Sequence, residues 1–302
     1  MKRSGILAVT GVLLYLMAAG SHAAVEVFAC EPEWAALAEE LGGEHVTARS
    51  ATTPQQDVHH IQARPGLIAR VRRADLVVCT GAELEAGWLP VLLRRAGNPA
   101  VQPGTSGYFE AADHVVMLEK PSALNRAEGD VHARGNPHIH LDPRNIARVA
   151  RALGERLAAL EPAHAAAYRT ALENFERRWQ TALAGWEQRA QPLRGMPVVV
   201  HHPSWVYLNQ WLGLRQIVSL EPKPGVAPTA RQLAEILNLL QSTPARAVIR
   251  TPYQDPRPSA WLHERAGLPV LELPFTVGGN QRARDLFGLF DSTIALLLEV
   301  QQ

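Results

Sequence analysis

Histidines concentrated in three short segments of this sequence have the residue type and grouping of metal ligands. The segments read DVHHIQARP, GNPHIHLDP and VVVHHPSW, and their histidines are, in order, His59, His60, His138, His140, His201 and His202. Imidazole is the commonest protein ligand of zinc, and three imidazoles with one further donor complete a tetrahedral site. A single histidine is more often a surface or hydrogen-bonded residue, so a metal site requires the three segments to converge.

The middle segment is bracketed by prolines. Pro137 precedes its histidines and Pro143 follows them, and proline disfavours a helix through this stretch. Side chains of an extended segment alternate with a period of two, so His138 and His140 are expected to point the same way. The sequence therefore predicts a stiff loop that presents imidazole to a partner elsewhere in the chain.

The third segment directly follows a short apolar run, Val198 to Val200, that is typical of a buried strand. Ligands of parallel α/β sheets gather at the carboxyl ends of strands. His201 and His202 are therefore expected at such an edge, where the other two loops could reach the same crevice.

Strand and helix patterns alternate on both sides of a region rich in Ala, Leu, Arg and Glu. The first half offers strands in VEVFAC, HVTARSA, ADLVVC and HVVML, and the second half in MPVVVHH, RQIVSL, ARAVIRTP and LPVLELP. The region between them predicts two helices, the second running to about Arg189. The predicted fold class is α/β, with two lobes of mostly parallel sheets joined by one long rigid helix.

The N-terminus has the pattern of a secretory signal peptide, with an uncleaved anchor as the alternative. Lys2 and Arg3 precede an apolar run, and small residues at Ser21 and Ala23 suit cleavage. A periplasmic protein is therefore expected. The predicted organisation is a signal peptide over 1–23, an N-terminal α/β lobe over 24–143, helices including the long connector over 144–192, and a C-terminal α/β lobe over 193–302.

Charge and cysteine content narrow the function classes. The net charge is +1 and the charges are interspersed, which argues against a nucleic-acid partner. Cys30 and Cys79 each end an apolar strand-like run. In an exported chain they form either a disulfide or two buried thiols, and the sequence leaves both open.

These motifs resemble those of the cluster A-I metal-binding proteins of ABC importers, most closely the zinc-specific, ZnuA-like type. The family patterns DPHxYxxxPSD, ADLVVxxG, DPHxWLDP and HDAFxYxxxxxGL correspond here to DVHHIQARPGL, ADLVVCTG, NPHIHLDP and HHPSWVYLNQWLGL. The resemblance covers essentially the whole chain after 1–23. It implies a monomeric solute-binding protein, not an enzyme, that delivers Zn²⁺ as its transported ligand to the membrane permease of a metal ABC importer.

The resemblance assigns the metal ligands to His59, His138 and His202. The adjacent histidines, His60, His140 and His201, are expected to support the ligands by hydrogen bonds or to lie at the surface. His140 could also substitute as a ligand. Manganese importers of this fold mix imidazoles with carboxylates, so a histidine at 202 favours zinc.

Two departures from the family pattern leave the fourth ligand open. The segment LELPFTVGG has no aspartate in register, and Thr251 stands where relatives have glutamate, which leaves water, Glu272 or an unidentified residue. The acidic, histidine-rich loop of the family is also absent. In its place Asp130 and His132 either help to capture metal, as a second and weaker site, or lie in an ordinary solvated loop.

Other functions fit parts of the pattern. A manganese-binding homologue or an adhesin could share the fold. Three histidines with an open position also describe a hydrolytic zinc site that activates water, with Glu272 as a possible base.

Overall fold

A computed structural model describes residues 24–121, 129 and 132–301. The predicted signal peptide over 1–23 lies outside the described residues. Within the described part of the chain, no helix combines the length and the apolar character needed to cross a membrane.

The N-terminal lobe is a four-stranded parallel sheet flanked by helices. Its strands follow the order β2-β1-β3-β4, and they are β1 (Val25–Ala29), β2 (Val46–Ser50), β3 (Leu76–Cys79) and β4 (Tyr108–Glu110). Its helices are α1 (Pro32–Gly42), α2 (Pro65–Arg73) and α3 (Leu89–Ala96). Proline at the first turn of each helix suits the fixed φ of that position.

The last strand of this lobe is not the one predicted. The segment HVVML forms no strand, and Tyr108–Glu110 pairs with β3 instead. A turn at Ala111–His114 leads the chain away from the sheet, and Val116 is 74% exposed. The backbone of Leu118 bonds to the Tyr207 hydroxyl and to Asn136 rather than to a strand, so apolar composition alone was misleading here.

Two long helices connect the lobes. Helix α4 (Pro143–Leu160) is capped by Asp142, whose carboxylate accepts a hydrogen bond of 2.8 Å from the Arg144 amide. After a short turn at Pro162–His164, helix α5 (Ala165–Arg189) runs for 25 residues, a length of ~37 Å. The long connector ends where the sequence predicted.

The C-terminal lobe repeats the strand order of the first. Its parallel sheet has the order β6-β5-β7-β8, formed by β5 (Pro197–Val200), β6 (Arg215–Ser219), β7 (Ala247–Arg250) and β8 (Val270–Glu272). Its helices are α6 (Val206–Leu212), α7 (Ala230–Ser242), α8 (Arg257–Ala266) and α9 (Leu286–Glu299). The predicted α/β fold of two parallel-sheet lobes and a long helix is confirmed.

One continuous apolar core extends through both lobes and the connecting helices. Trp179 and Trp186 of α5 pack against Phe287 and Phe290 of α9, with ring centres 4.9 Å apart for Trp179 and Phe287 and 5.2 Å apart for Trp186 and Phe290. The Trp179 indole also donates a 2.8 Å hydrogen bond to the Pro143 carbonyl. Because close-packed interiors resist shear, the lobes are held as one body.

A disulfide joins the two central strands of the N-terminal lobe. Cys30 follows β1 and Cys79 ends β3, and their Cα atoms are 4.8 Å apart. This separation lies within the range that a disulfide requires. The sequence left open whether the two cysteines form a disulfide or remain buried thiols. The structure has the disulfide, because β1 and β3 are paired neighbours whose carboxyl ends lie side by side.

Candidate metal site

Three of the predicted histidines come together in the cleft between the lobes. Ring centres are 5.6 Å apart for His59 and His138, 6.0 Å for His59 and His202, and 5.9 Å for His138 and His202. Imidazoles bound tetrahedrally to one zinc ion would have ring centres about 5 Å apart, given metal–nitrogen distances of about 2.0–2.1 Å. The observed spacing needs only a small inward movement to bind one ion.

The fold explains this convergence. His59 lies in a turn at Val58–His60 beyond the carboxyl end of β2, and His202 lies just beyond the carboxyl end of β5. His138 lies in the loop that leads into α4. Carboxyl ends of parallel strands form the usual ligand edge of a sheet, and here the edges of both lobes contribute.

Carboxylates hold two of the three imidazoles from behind. His59 Nδ1 lies 2.7 Å from Asp57 Oδ1, and His202 Nδ1 lies 2.7 Å from Glu221 Oε2. The opposite nitrogen of His59, Nε2, is buried and has no hydrogen-bond partner among the described residues. A carboxylate on Nδ1 fixes the ring and leaves Nε2 as a ligand, which is the usual arrangement behind metal-binding histidines.

The protonation states suit a cation. Burial, reinforced by the nearby imidazoles of His59 and His202, lowers the pKa of His138 well below its usual value. Burial opposes ionisation of Asp57, but its hydrogen bonds with His59 prevail and lower its pKa to about 2. A neutral imidazole and an ionised supporting carboxylate are both present at neutral pH, as metal binding requires.

His140 has other partners than His138. Residues Ile139–Leu141 form a helical turn, so the extended backbone assumed for this stretch is wrong. Both rings nevertheless contact Phe275, at ring-centre distances of 5.3 Å for His138 and 5.1 Å for His140. The Nε2 atom of His140 lies 2.9 Å from the Phe275 carbonyl oxygen, and Nδ1 lies 3.2 Å from Glu33 Oε1. Nε2 is thus engaged and Nδ1 faces a carboxylate, although without a hydrogen bond among the described residues, which argues against His140 as a substitute ligand.

The other two adjacent histidines also differ from the converging set. His60 is exposed. His201 is buried, and its Nε2 atom lies 3.8 Å from Glu221 Oε1, the carboxylate that supports His202.

Glu272 is not placed to be the fourth ligand. Its side chain is 47% exposed, and its carboxylate forms an ion pair with Arg250. Strand β8 directs Glu272 to the solvent side, whereas Leu271 beside it is buried. Side chains alternate between the two faces of a strand, and Glu272 is on the face that points away from the cleft.

His132 lies at the cleft and not in an ordinary solvated loop. Its ring centre is 5.4 Å from that of His59. Together with His138 and His202 it lines a cavity of about 160 Å³. Burial, and then the imidazoles of His59 and His202, lower the pKa of His132 to about 4, so this side chain is neutral as well. Asp130 lies outside the described residues.

A tighter group of donor atoms elsewhere is not a metal site. Among the described residues, Cys30, Cys79 and Glu85 form the one group of three histidine, cysteine or acidic side chains whose donor atoms all lie within 4.8 Å of one another. The two sulfurs are joined in the disulfide and offer no thiolate. The histidines are more open than this limit, in keeping with a site that closes on its ion.

Two supporting residues, Asp57 and Glu221, were not predicted from the sequence, whereas His132 was named there only as a possible aid to metal capture. Asp57 precedes His59 by two residues and caps its turn, so local sequence carried a usable signal. Glu221 follows β6, 19 residues after His202. Nothing local indicates that these two side chains meet.

Removal of the supporting carboxylates is expected to weaken zinc binding. Asp57→Ala and Glu221→Ala should each lower zinc affinity by about 10- to 100-fold, because the imidazole loses its fixed orientation and some basicity. Asp57→Asn and Glu221→Gln retain an acceptor oxygen and should lose less. Competition titration against a chromophoric chelator measures the change.

Glu235→Gln is a suitable control, since Glu235 is exposed and, among the residues that the structure describes, pairs only with Arg231 on α7. Unchanged zinc affinity in both alanine variants would show that the carboxylates do not support metal ligands.

Comparisons with known proteins agree with the architecture. The family described as "Zinc-uptake complex component A periplasmic" (ZnuA) matches residues 27–300. A curated relative, "High-affinity zinc uptake system protein ZnuA" of Yersinia pestis, is 25% identical over 219 residues, or 64% of this chain and 65% of the relative. The chain thus matches just under two thirds of that relative's length.

A second relative and a solved structure extend the likeness. "Manganese ABC transporter substrate-binding lipoprotein PsaA" of Streptococcus pneumoniae is 22% identical over 251 residues, or 80% of this chain and 76% of the relative. The structure described as "Crystal structure of ZnuA" superposes with a TM-score of 0.75 at 22% identity, over 92% of this chain and 98% of that chain. Since the family match extends over nearly the whole described chain, this protein belongs to the ZnuA family of metal solute-binding proteins, which are not enzymes.

Proposed function

We propose that this protein captures Zn²⁺ in the periplasm through His59, His138 and His202 and delivers it to the membrane permease of an ABC importer. The observation that carries the proposal is the meeting of these imidazoles in one cleft, at ring separations of 5.6–6.0 Å. Zinc is the cargo of the protein, and no chemical step changes it. A monomer is sufficient, because one chain supplies all three ligands.

The choice of zinc over manganese is supported by the donor set. Imidazole nitrogen suits zinc, whereas manganese prefers carboxylate and carbonyl oxygen. The carboxylates that contact the proposed ligands, Asp57 and Glu221, are occupied behind His59 and His202. Manganese is the second candidate because one relative carries that metal in its name.

Release of the ion would depend on the loops. The continuous core through α4, α5 and α9 opposes a large hinge motion of the lobes. The three ligands, by contrast, lie on turns beyond strand ends, which are easier to displace. The permease is therefore expected to loosen these loops rather than to separate the lobes.

Metal binding to the mature chain tests the proposal. Elemental analysis after export should find one zinc per chain, and Zn²⁺ at about 1,000 times its dissociation constant should raise the free energy of unfolding by about 4 kcal/mol. Mn²⁺ at the same concentration should give a smaller rise in Tm. The triple variant His59→Ala, His138→Ala, His202→Ala is the control and should show no zinc-dependent shift.

Two results would contradict the proposal. Tighter binding of Mn²⁺ than of Zn²⁺ would assign the manganese function, and a wild-type chain without a metal-dependent shift would reject metal capture. Loss of growth at low zinc on deletion, restored by added zinc, would support the link to an importer.

A further inference from the structure

We propose that His132 is the fourth zinc ligand, so that this protein holds its cargo in an all-imidazole site that discriminates against manganese. The inference rests on the proposed function and adds the residue that completes the coordination. The fourth donor is then the His132 imidazole, and neither water nor a carboxylate of the C-terminal lobe is needed.

The first observation behind this inference is the position of His132. Its ring centre is 5.4 Å from that of His59, which is the shortest separation among the imidazole pairs described above. Four imidazoles on one tetrahedral ion would have ring centres about 5 Å apart. His132 also lines the same cavity as His138 and His202, and His59 contacts the rings of all three.

The loop that carries His132 is held against the N-terminal lobe. The Ala133 amide donates a hydrogen bond to the Glu83 carboxylate, and the Arg134 guanidinium pairs with Glu110 at 2.7 Å and with Asp113. These contacts hold the backbone directly after His132, which limits the positions that its ring can take.

Two backbone features indicate that the fold requires the observed conformation of the loop around His132. Gly135 has φ +111°, and a Cβ atom there would lie 2.5 Å from the Leu118 carbonyl oxygen, so the turn after His132 requires glycine. Glu83, which holds the loop, itself has φ +70°, and Ala82 before it has φ +51°. Non-glycine residues in this conformation are strained, and such strain is concentrated at functional sites.

One carboxylate competes for the role. Glu119 also lines the cavity, but it is exposed, and its Oε2 atom accepts a 3.0 Å hydrogen bond from the Asn136 amide. An oxygen ligand at this position would make manganese more acceptable, and a nitrogen ligand would not. The two residues therefore predict different metal preferences.

Variants of the full mature chain distinguish these possibilities. His132→Ala should lower Zn²⁺ affinity by about 10-fold or more and change the visible absorption of bound Co²⁺, because the ion loses a nitrogen donor. His132→Asp should bind Mn²⁺ more tightly, relative to Zn²⁺, than the wild type does. His60→Ala is the matched control, since His60 is an exposed imidazole next to His59.

The outcomes separate the inference from the proposed function. If the wild type binds zinc but His132→Ala and His132→Asp retain its affinity and cobalt spectrum, the inference fails and the three-histidine site stands. Loss of affinity in Glu119→Gln, with no loss in His132→Ala, would overturn it in favour of the carboxylate. A wild-type chain that binds no zinc would instead reject the proposed function itself.

Discussion

His138→Ala is expected to lower the zinc affinity of this protein by about three orders of magnitude, equivalent to about 4 kcal/mol of binding free energy. The side chain is 2% exposed, and its imidazole faces those of His59 and His202. Alanine removes a nitrogen donor at a position that bulk water reaches poorly. No other side chain on the stiff segment replaces it, because His140 is engaged with Glu33 and Phe275.

The same loss is expected for His59→Ala and His202→Ala, since each removes one corner of the same site. Isothermal titration with Zn²⁺ gives the affinities, and the thermal unfolding of the metal-free variants verifies that they fold. Wild-type affinity in all three variants would end the assignment of these ligands.

Loss of the disulfide is expected to lower the free energy of unfolding by about 2–4 kcal/mol. The bond closes a segment with a sequence separation of 49 residues, and an unfolded chain of this length loses substantial entropy when its ends are joined. Cys30→Ala with Cys79→Ala removes the bond without leaving a reactive thiol. Urea unfolding of the metal-free protein measures the difference.

A reductant provides the control for this prediction. It should destabilise the wild type towards the double variant, and it should leave the double variant unchanged. An unchanged urea midpoint in wild-type protein whose thiols have been shown to be reduced would contradict the prediction. His59 lies within the closed segment, so a modest decrease in zinc affinity is also expected.

Strand-end histidines were accessible to sequence reasoning because their signals are local. The run Val198–Val200 identifies a buried parallel strand, and the residues directly beyond it, His201 and His202, must lie at the ligand edge. Which member of the pair faces the cleft is a different question. The turn beyond the strand decides it, and the Glu221 carboxylate fixes His202 there.

The GNPHIHLDP segment shows where local rules end. Prolines at both sides correctly predicted a loop, but the period-two argument assumed an extended backbone. Asp142 instead caps α4 and closes a helical turn at Ile139–Leu141, and there His140 contacts Glu33 while His138 contacts His59 and His202. Side-chain direction in a short loop depends on such closures more than on residue spacing.

By itself the sequence determined the alternation of strands and helices, the long connector, the family resemblance and the histidines on which the proposed site rests, because these follow from apolar periodicity and motif order. Only the tertiary structure decided that Cys30 meets Cys79, that Glu272 faces away and that His132 reaches the cleft. The physical reason is that each of these depends on contacts between distant parts of the chain. For His132 the deciding contact is the pairing of Arg134 with Glu110 and Asp113, which no local pattern encodes.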